Sequence, residues 1–479
     1  MSKKKLAQNA ILNLIKTISS LIFPLITFPY ISRVLGVENL GAYNFSTSVI
    51  SYFTLIAGLG ITTYAIREGA RYREDKKKLS EFSSEVFTIN VISTILAYIL
   101  MFICIFLFDE LRKYVSVILI LSVATMFTTL GCEWVYNIYE DFKYITIRSI
   151  IFQFVSLILL FAFVKDSNDL LAYSIITVIA SSGANVMNII ARRKYLKIGL
   201  VFNKNIKKHL VPIFILFANS VATTIYINSD MTILGIISGD YYTGLYSVST
   251  KVYTVIKSLL GAIIVVSIPH LVALIGKKDL TEYRNTSKGI LNVLLSFCVP
   301  TMIGIFCISK YIILLLSGED YVSATSSLQI LSFALLFSII SWYYTSCVLI
   351  PFRKEKIVLA ATTSSAIANV VLNILLVPKF NINATAFTTM LAELISAAVC
   401  YIYARKYTQY RPPLNIIMSI LIGSVGIYAC CYIVAQLFSS VLLVITFSIV
   451  FSALIYMLVL ILFKNPTIST FSKLIKQKN

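Results

Sequence analysis

Fourteen apolar runs, each about as long as one membrane crossing, follow one another along the chain. Short polar or glycine-containing segments separate them, such as Gly239-Asp240 and Gly318-Glu319-Asp320. A membrane helix needs about 20 apolar residues and a membrane strand only about 9–11, so runs of this length predict helices. The predicted spans are residues 10–31, 42–66, 84–108, 114–137, 144–164, 170–191, 211–237, 241–268, 289–316, 322–351, 357–378, 382–404, 413–435 and 440–463.

The composition agrees with this pattern. Hydrophobic residues make up 58% of the 479 positions and charged residues only 13%, whereas a soluble domain is about 45–50% apolar and about 25% charged. We therefore predict an all-α polytopic membrane protein with about 14 transmembrane helices and no water-soluble domain.

The net charge of +20 would suggest a nucleic-acid partner in a soluble protein. In a membrane protein it can instead reflect basic residues in the cytoplasmic loops, and the positions of the charges distinguish the two cases. If the N-terminus is cytoplasmic, 32 of the 41 basic residues fall in cytoplasmic segments and 6 in external ones. Cytoplasmic loops are the ones enriched in Lys and Arg. The split predicts a multi-pass protein of the plasma (inner) membrane with both termini cytoplasmic, and it requires no nucleic acid.

Several chemistries have little support in the sequence. The eight cysteines lie in apolar runs without metal-ligand spacing, and His209 and His270 are the only histidines, so neither a metal nor another cofactor is expected. The longest external connection is only about ten residues, near 32–41, and no nucleotide loop or nucleophile motif occurs. We therefore expect a protein that is not an enzyme.

An internal repeat relates the two halves of the chain. Residues 41–49 (GAYNFSTSV) and 244–252 (GLYSVSTKV) share five of nine positions, and each opens the span after a helix that starts in the cytoplasm. Trp134 and Trp342, the only tryptophans, form a weaker second match six spans apart. An even offset gives both halves the same orientation, as in transporters built from parallel repeats. We predict an N-lobe at 1–200 (spans 1–6), a C-lobe at 201–408 (spans 7–12), and a segment 409–479 with spans 13–14 and a basic cytoplasmic tail.

Polar and ionisable residues inside the predicted spans are the candidates for function, since burying a charge in lipid is costly. Polar side chains recur every three or four residues on spans 1, 2 and 7, which places them on single helix faces. For the hydroxyls, hydrogen bonding between helices is an alternative explanation. The predicted substrate-cavity residues are Lys16, Ser20, Arg33, Tyr43, Thr47, Asn219, Thr223, Tyr226 and Lys251, and the predicted ion-coupling residues are Asp230, Glu393 and Glu133.

Two stretches resemble a known family. Residues 28–43 (FPYISRVLGVENLGAY) resemble the signature of bacterial polysaccharide biosynthesis flippases, which translocate O-antigen or capsule repeat units. Residues 131–148, with Gly131-Cys132-Glu133-Trp134, Lys143-Tyr144-Ile145 and Arg148, resemble a second stretch of the same family. This second stretch lacks the Gln-Gly expected between Trp134 and Glu140.

The resemblance implies membership of the multidrug/oligosaccharidyl-lipid/polysaccharide exporter superfamily. Its members would flip an undecaprenyl-diphosphate-linked oligosaccharide from the inner to the outer leaflet by alternating access. In this chain Lys16 and Lys251 would face the diphosphate, and Asp230 or Glu393 would bind H⁺ or Na⁺ as the coupling ion. Membrane lipids and the polysaccharide polymerase machinery are the other candidate partners. The alternatives are a lipid II or teichoic-acid precursor flippase, a multidrug extruder and, with less support, a membrane polysaccharide polymerase.

Overall fold

A computed structural model describes residues 3–467, and these residues form α-helices joined by short turns, with no strand among them. The all-α prediction is confirmed. The helices are α1 Lys3–Gly58, α2 Ile61–Gly69, α3 Lys76–Leu107, α4 Asp109–Arg112, α5 Val115–Gly131, α6 Glu133–Ile138, α7 Phe142–Phe163, α8 Leu170–Ala191, α9 Lys207–Ser238, α10 Asp240–Gly276, α11 Leu280–Ser317, α12 Thr325–Tyr343, α13 Glu355–Ala404, α14 Leu414–Leu437 and α15 Val441–Leu462. A π-helical turn, Tyr344–Leu349, follows α12.

Eleven helical stretches in the described part of the chain are long and apolar enough to cross a membrane. Two of them, Ile22–Tyr72 and Glu355–Ala404, have 51 and 50 residues, enough for two crossings each at about 20 residues per crossing. The shorter apolar helix Val115–Gly131 adds one more, which accounts for the fourteen predicted spans. Large apolar side chains also remain exposed, with Phe106 at 76% and Val266 at 73%, as lipid-facing positions require. The chain is a multi-pass membrane protein.

A single residue interrupts each of the two longest helices. Gly36 has φ 74° and ψ 176° within α1, a conformation that glycine adopts without the penalty of a Cβ. Asn381 has φ 46° and ψ −125° within α13. The sequence suggested a loop near 32–41 between the first two spans, but the helix continues on both sides of Gly36. The predicted ten-residue external loop is therefore wrong. A single residue with positive φ, Gly36, separates the first span from the second.

The fourth predicted span, 114–137, is also divided. Cys132 has φ 46° and ψ 50°, which ends α5 at Gly131 and starts the short helix α6 at Glu133. Gly131 lies so close to α8 that a Cβ there would be 2.8 Å from the Cβ of Asn185. Hydropathy alone cannot detect this break, because the residues on both sides of Cys132 are largely apolar.

Backbone contacts group the chain into two units, Met1–Gly244 and Leu245–Asn479. In the first unit, α9 packs on α1 and α2, and a cluster that includes Leu79, Trp134 and Ile213 is buried between helices. The sequence assigned residues 201–244 to the C-lobe, and that lobe boundary stays a prediction. In the second unit, α12 packs between α11 and α13, and α14 and α15 pair with each other against α11.

Within the first unit, the opening glycines of the two repeat segments lie side by side. A Cβ on Gly41 would be 1.9 Å from the carbonyl oxygen of Asp240 and 2.9 Å from the backbone nitrogen of Gly244. A Cβ on Gly244 would in turn be 2.0 Å from the carbonyl oxygen of Val37. Backbone approaches backbone here, so only glycine fits at either position. The matching glycines of the repeat thus have a packing role.

Candidate functional site

Three charged side chains from three helices meet in the first unit. Lys16 of α1 places Nζ 3.2 Å from Oε1 of Glu133, and Arg148 of α7 places Nη2 3.0 Å from Oε2 of the same carboxylate. The side chains of Lys16 and Glu133 are 34% and 36% exposed, whereas Arg148 is 1% exposed. One carboxylate therefore offsets two basic groups, and the cluster keeps one net positive charge.

The local fold explains how Glu133 and Arg148 are placed. The left-handed conformation of Cys132 makes Glu133 the first residue of α6, and an acidic side chain interacts favourably with a helix N-terminus. The guanidinium of Arg148 lies 5.6 and 5.4 Å from the ring centroids of Tyr136 and Tyr144, in cation–π contact. Its Nη1 also donates to the carbonyl of Ala184 at 2.9 Å.

Sequence reasoning predicted Lys16 and Glu133 as site residues but missed Arg148, which it counted among the cytoplasmic basic residues. The available signal was its spacing of four from Tyr144, which places both on one face of a helix. Lys16 was predicted for the substrate cavity and Glu133 for ion coupling, and the structure brings the two together.

The other predicted residues of α1 are spread along that helix. Ser20 and Arg33 are exposed, and both lie before the break at Gly36. Beyond the break, Tyr43 packs against Tyr173 of α8 with ring centroids 4.6 Å apart. Thr47 is exposed and donates to the carbonyl of Tyr43 at 2.9 Å, within its own helix. This hydrogen bond lies within one helix, so it is not the contact between helices that was the alternative explanation for the hydroxyls.

On α9, Asp230 is buried and 8% exposed. Close to it, Thr232 joins α9 to α1 through the hydroxyls of Tyr52, at 3.2 Å, and Ser48, at 2.9 Å. Thr223 is exposed and Tyr226 half-buried on the same helix. The side chain of Asn219 lies outside the described part of the structure.

The second unit contains its own charged cluster. Lys257 Nζ of α10 lies 2.7 Å from Oε1 of Glu393 on α13. The hydroxyl of Tyr253 donates to the same oxygen at 2.9 Å. Glu393 is 6% and Lys257 25% exposed. Lys251, predicted for the cavity, is half-buried six residues earlier on α10. Glu393 was predicted from sequence, but its partner Lys257 was not selected.

A further polar cluster escaped sequence analysis. His209 of α9 is 3% exposed, and its Nε2 lies 2.8 Å from Oε2 of Glu85 on α3. The Tyr64 hydroxyl of α2 lies 2.6 Å from the other ring nitrogen. Lys208 and Asn203 also contact Glu85, at 3.1 and 3.0 Å. No sequence pattern connects a lone histidine with an acid 124 residues away. In the described residues, no three His, Cys, Asp or Glu side chains are grouped to hold a metal ion.

Comparison with known proteins adds sequence and fold relationships to this geometry. Residues 6–275, more than half of the chain, match the family described as "Polysaccharide biosynthesis protein". The "Putative O-antigen transporter" of Escherichia coli (strain K12) is 25% identical over 342 residues, which cover 69% of this chain and 80% of that protein.

Several solved structures share the fold. The lipid II flippase MurJ, in an inward closed conformation, has a TM-score of 0.76 at 19% identity, over 95% of this chain and 99% of that one. A multidrug resistance MATE family transporter of the MOP superfamily, in an inward-facing conformation, has a TM-score of 0.60 at 13% identity, over 80% and 93% of the two chains. At these identities the likeness is one of fold.

Proposed function

Since this chain belongs to the polysaccharide biosynthesis protein family, we propose that it flips polyprenyl-diphosphate-linked oligosaccharide repeat units from the inner to the outer leaflet of the plasma membrane. The oligosaccharide then serves surface polysaccharide export. Two six-helix lobes alternate access to the substrate, both termini lie in the cytoplasm, and the polysaccharide polymerase machinery receives the product. The relative named as an O-antigen transporter supports this cargo class.

The observation that carries the proposal is the cluster of Lys16, Glu133 and Arg148. A diphosphate needs a positive counter-charge when it leaves water. A basic group inside the membrane is costly unless it binds an anion of this kind or pairs with an acid. Lys16 is half-buried and shares Glu133 with Arg148, so an incoming phosphate can replace the carboxylate as the partner of Lys16. Charge-assisted contacts of this kind are among the stronger hydrogen bonds.

Ion coupling is the second part of the proposal. Asp230 and Glu393 are both buried acids within membrane helices. A carboxylate in that position can bind and release H⁺ or Na⁺, and the ion gradient then drives the return step. Glu133 is a weaker candidate for this role, because it has two basic partners, whereas Glu393 has only Lys257 among the described residues.

Lipid II is the second candidate cargo. The fold likeness to the lipid II flippase MurJ over nearly the whole chain favours it. Both cargoes join a polyprenyl diphosphate to sugars, so the charged cluster suits either. A multidrug extruder is less well supported, since cationic drugs call for an acidic cavity and the Lys16–Glu133–Arg148 cluster is net positive.

A strain that lacks this protein tests the proposal. We expect lipid-linked repeat units to accumulate on the cytoplasmic face of the membrane and surface polysaccharide to be lost. Normal surface polysaccharide in that strain would contradict the assignment. Growth of a strain depleted of its lipid II flippase, restored by this protein, would instead identify lipid II as the cargo.

Transport into everted membrane vesicles tests the coupling. We expect uptake of the lipid-linked repeat unit to depend on a proton or sodium gradient, and Asp230→Asn or Glu393→Gln to reduce that dependence. If uptake is indifferent to both gradients, coupling through these acids is refuted while the flippase assignment stands.

A further inference from the structure

A cavity of about 340 Å³ lies beside the first turns of α7. Its walls include Asp141, Lys143, Tyr144, Ile147 and Arg148, together with Met187 of α8. The volume is near the lower end of the range of about 300–1,000 Å³ that is usual for small-molecule sites. The charge distribution along the chain predicts that this end of α7 is cytoplasmic. The cavity therefore lies where lipid headgroups of the inner leaflet are expected.

Two basic side chains line the cavity. Lys143 is exposed, and no ion pair involving it is found among the described residues. Arg148 is 1% exposed, and its Nε is buried without a hydrogen-bond partner in the described part of the chain. The site thus holds two basic side chains, and Nε of Arg148 is a buried donor without a partner among the described residues.

The acids near the cavity are already engaged. Asp141 accepts the backbone N–H of Tyr144 at 3.2 Å and the hydroxyl of Tyr195. Glu133, which contacts Arg148, is shared with Lys16. Positive charge therefore remains available to an anion from outside.

The remaining walls are apolar. Ile147 and Ile151 of α7 are 48% and 47% exposed, and Met187 is 39% exposed. Basic groups next to apolar walls at the end of a membrane helix suit a ligand with a charged head and a hydrocarbon part. Basic pockets between membrane helices on the cytoplasmic side are known to bind anionic lipid headgroups.

We propose that this cavity binds the phosphate-bearing headgroup of a membrane lipid, with Lys143 and Arg148 contacting the phosphate. The phosphate belongs either to an anionic phospholipid of the leaflet or to a polyprenyl diphosphate. A phosphate that engages Arg148 leaves the carboxylate of Glu133 to Lys16 alone, and so links the cavity to the charged cluster. This binding does not rest on the proposed transport activity.

Native mass spectrometry of the purified full chain tests the proposal by measuring lipid occupancy. The probes are dioleoylphosphatidylglycerol, undecaprenyl diphosphate and, as a zwitterionic lipid, dioleoylphosphatidylcholine. The variants are Lys143→Gln, which removes an exposed charge, and Ile147→Trp, which fills the cavity. Lys194→Gln is the matched control, because Lys194 is exposed in the same unit and does not line the cavity.

We expect Lys143→Gln to weaken binding of an anionic lipid about fivefold, since one basic residue contributes about 1 kcal/mol near an anionic surface. Ile147→Trp should weaken it at least as much, and Lys194→Gln should leave it unchanged. Tighter binding of undecaprenyl diphosphate than of phosphatidylglycerol would identify a polyprenyl diphosphate as the ligand. Equal binding of the two would identify an anionic phospholipid of the leaflet as a ligand. If both cavity variants bind like Lys194→Gln, or if phosphatidylcholine binds equally well, the proposal is wrong.

Discussion

Lys257 and Glu393 form a short ion pair, 2.7 Å from Nζ to Oε1, that joins α10 to α13 across 136 residues of sequence. Tyr253 donates to the same carboxylate oxygen, so the acid has two partners on one helix. Glu393 is nearly inaccessible, and Lys257 is one quarter exposed. The pair fixes the relative position of two membrane helices within the second unit.

Removing one partner of this pair should destabilise the protein more than removing both. We expect Lys257→Met to lower the free energy of unfolding by about 3 kcal/mol, because it leaves a buried carboxylate without a counter-charge. The double variant with Glu393→Gln should lose less, since no charge remains buried. Unfolding in detergent micelles measures both. A double variant that loses the sum of the two single effects would show that the pair is not coupled.

Replacing Lys16 should abolish transport but have little effect on stability. Because Lys16 is one third exposed, we expect Lys16→Met to lower the free energy of unfolding by less than about 1 kcal/mol and yet to abolish uptake of the lipid-linked repeat unit. Glu133→Gln should cost about 2 kcal/mol, since the buried Arg148 loses its carboxylate. Thermal unfolding and vesicle uptake on the same preparations test both. Wild-type uptake by Lys16→Met would remove Lys16 from the substrate path.

The contact between the repeat glycines should tolerate no side chain. A Cβ on Gly41 would lie 1.9 Å from a backbone oxygen, so Gly41→Ala forces the backbone apart and should cost about 1–3 kcal/mol or more. Gly289→Ala is the control, because Gly289 is within α11 and a Cβ added there would have no neighbouring atom within 4 Å. That change should stabilise the helix by roughly 0.5–1 kcal/mol. Equal thermal stability of the two variants would contradict the close approach.

The two histidines should respond very differently to replacement. His209→Leu removes the group that joins Glu85 to Tyr64, and it should cost about 1–3 kcal/mol because buried polar groups lose a partner. His270 is exposed on α10, so His270→Leu should change stability by less than about 0.5 kcal/mol. Melting temperatures in detergent distinguish the two cases. A small effect at His209 would mean that water replaces its contacts.

The predicted orientation can be read from reporter fusions. A green fluorescent protein joined after residue 204 should fluoresce, because the charge distribution assigns that segment to the cytoplasm. An alkaline phosphatase joined after residue 166 should be active, because that connection is predicted to be external. An inactive phosphatase together with a non-fluorescent fusion would show that the chain has the opposite orientation in the membrane.

The number and positions of the membrane helices can be predicted from the sequence, because each helix is a continuous run of about 20 apolar residues. The pairing of charges cannot, because it joins residues far apart in the chain. Lys16 and Glu133 were each singled out from sequence as charges within lipid, but their contact spans 117 residues. Arg148 was missed since its position near the start of α7 resembles an ordinary cytoplasmic arginine. The breaks at Gly36 and Cys132 depend on single backbone conformations and leave no trace in hydropathy.

Each of the two units holds one of the chain's two tryptophans. Trp134 is buried next to Glu133 of the charged cluster in the first unit, and Trp342 of α12 packs so closely on α10 that a Cβ on Gly261 would lie 2.0 Å from its ring. The tryptophan emission of this protein is therefore the sum of one contribution from each unit. Replacing either indole by phenylalanine leaves a single tryptophan. Excited at wavelengths that the 29 tyrosines do not absorb, it reports the melting or ligand response of one unit without any added label.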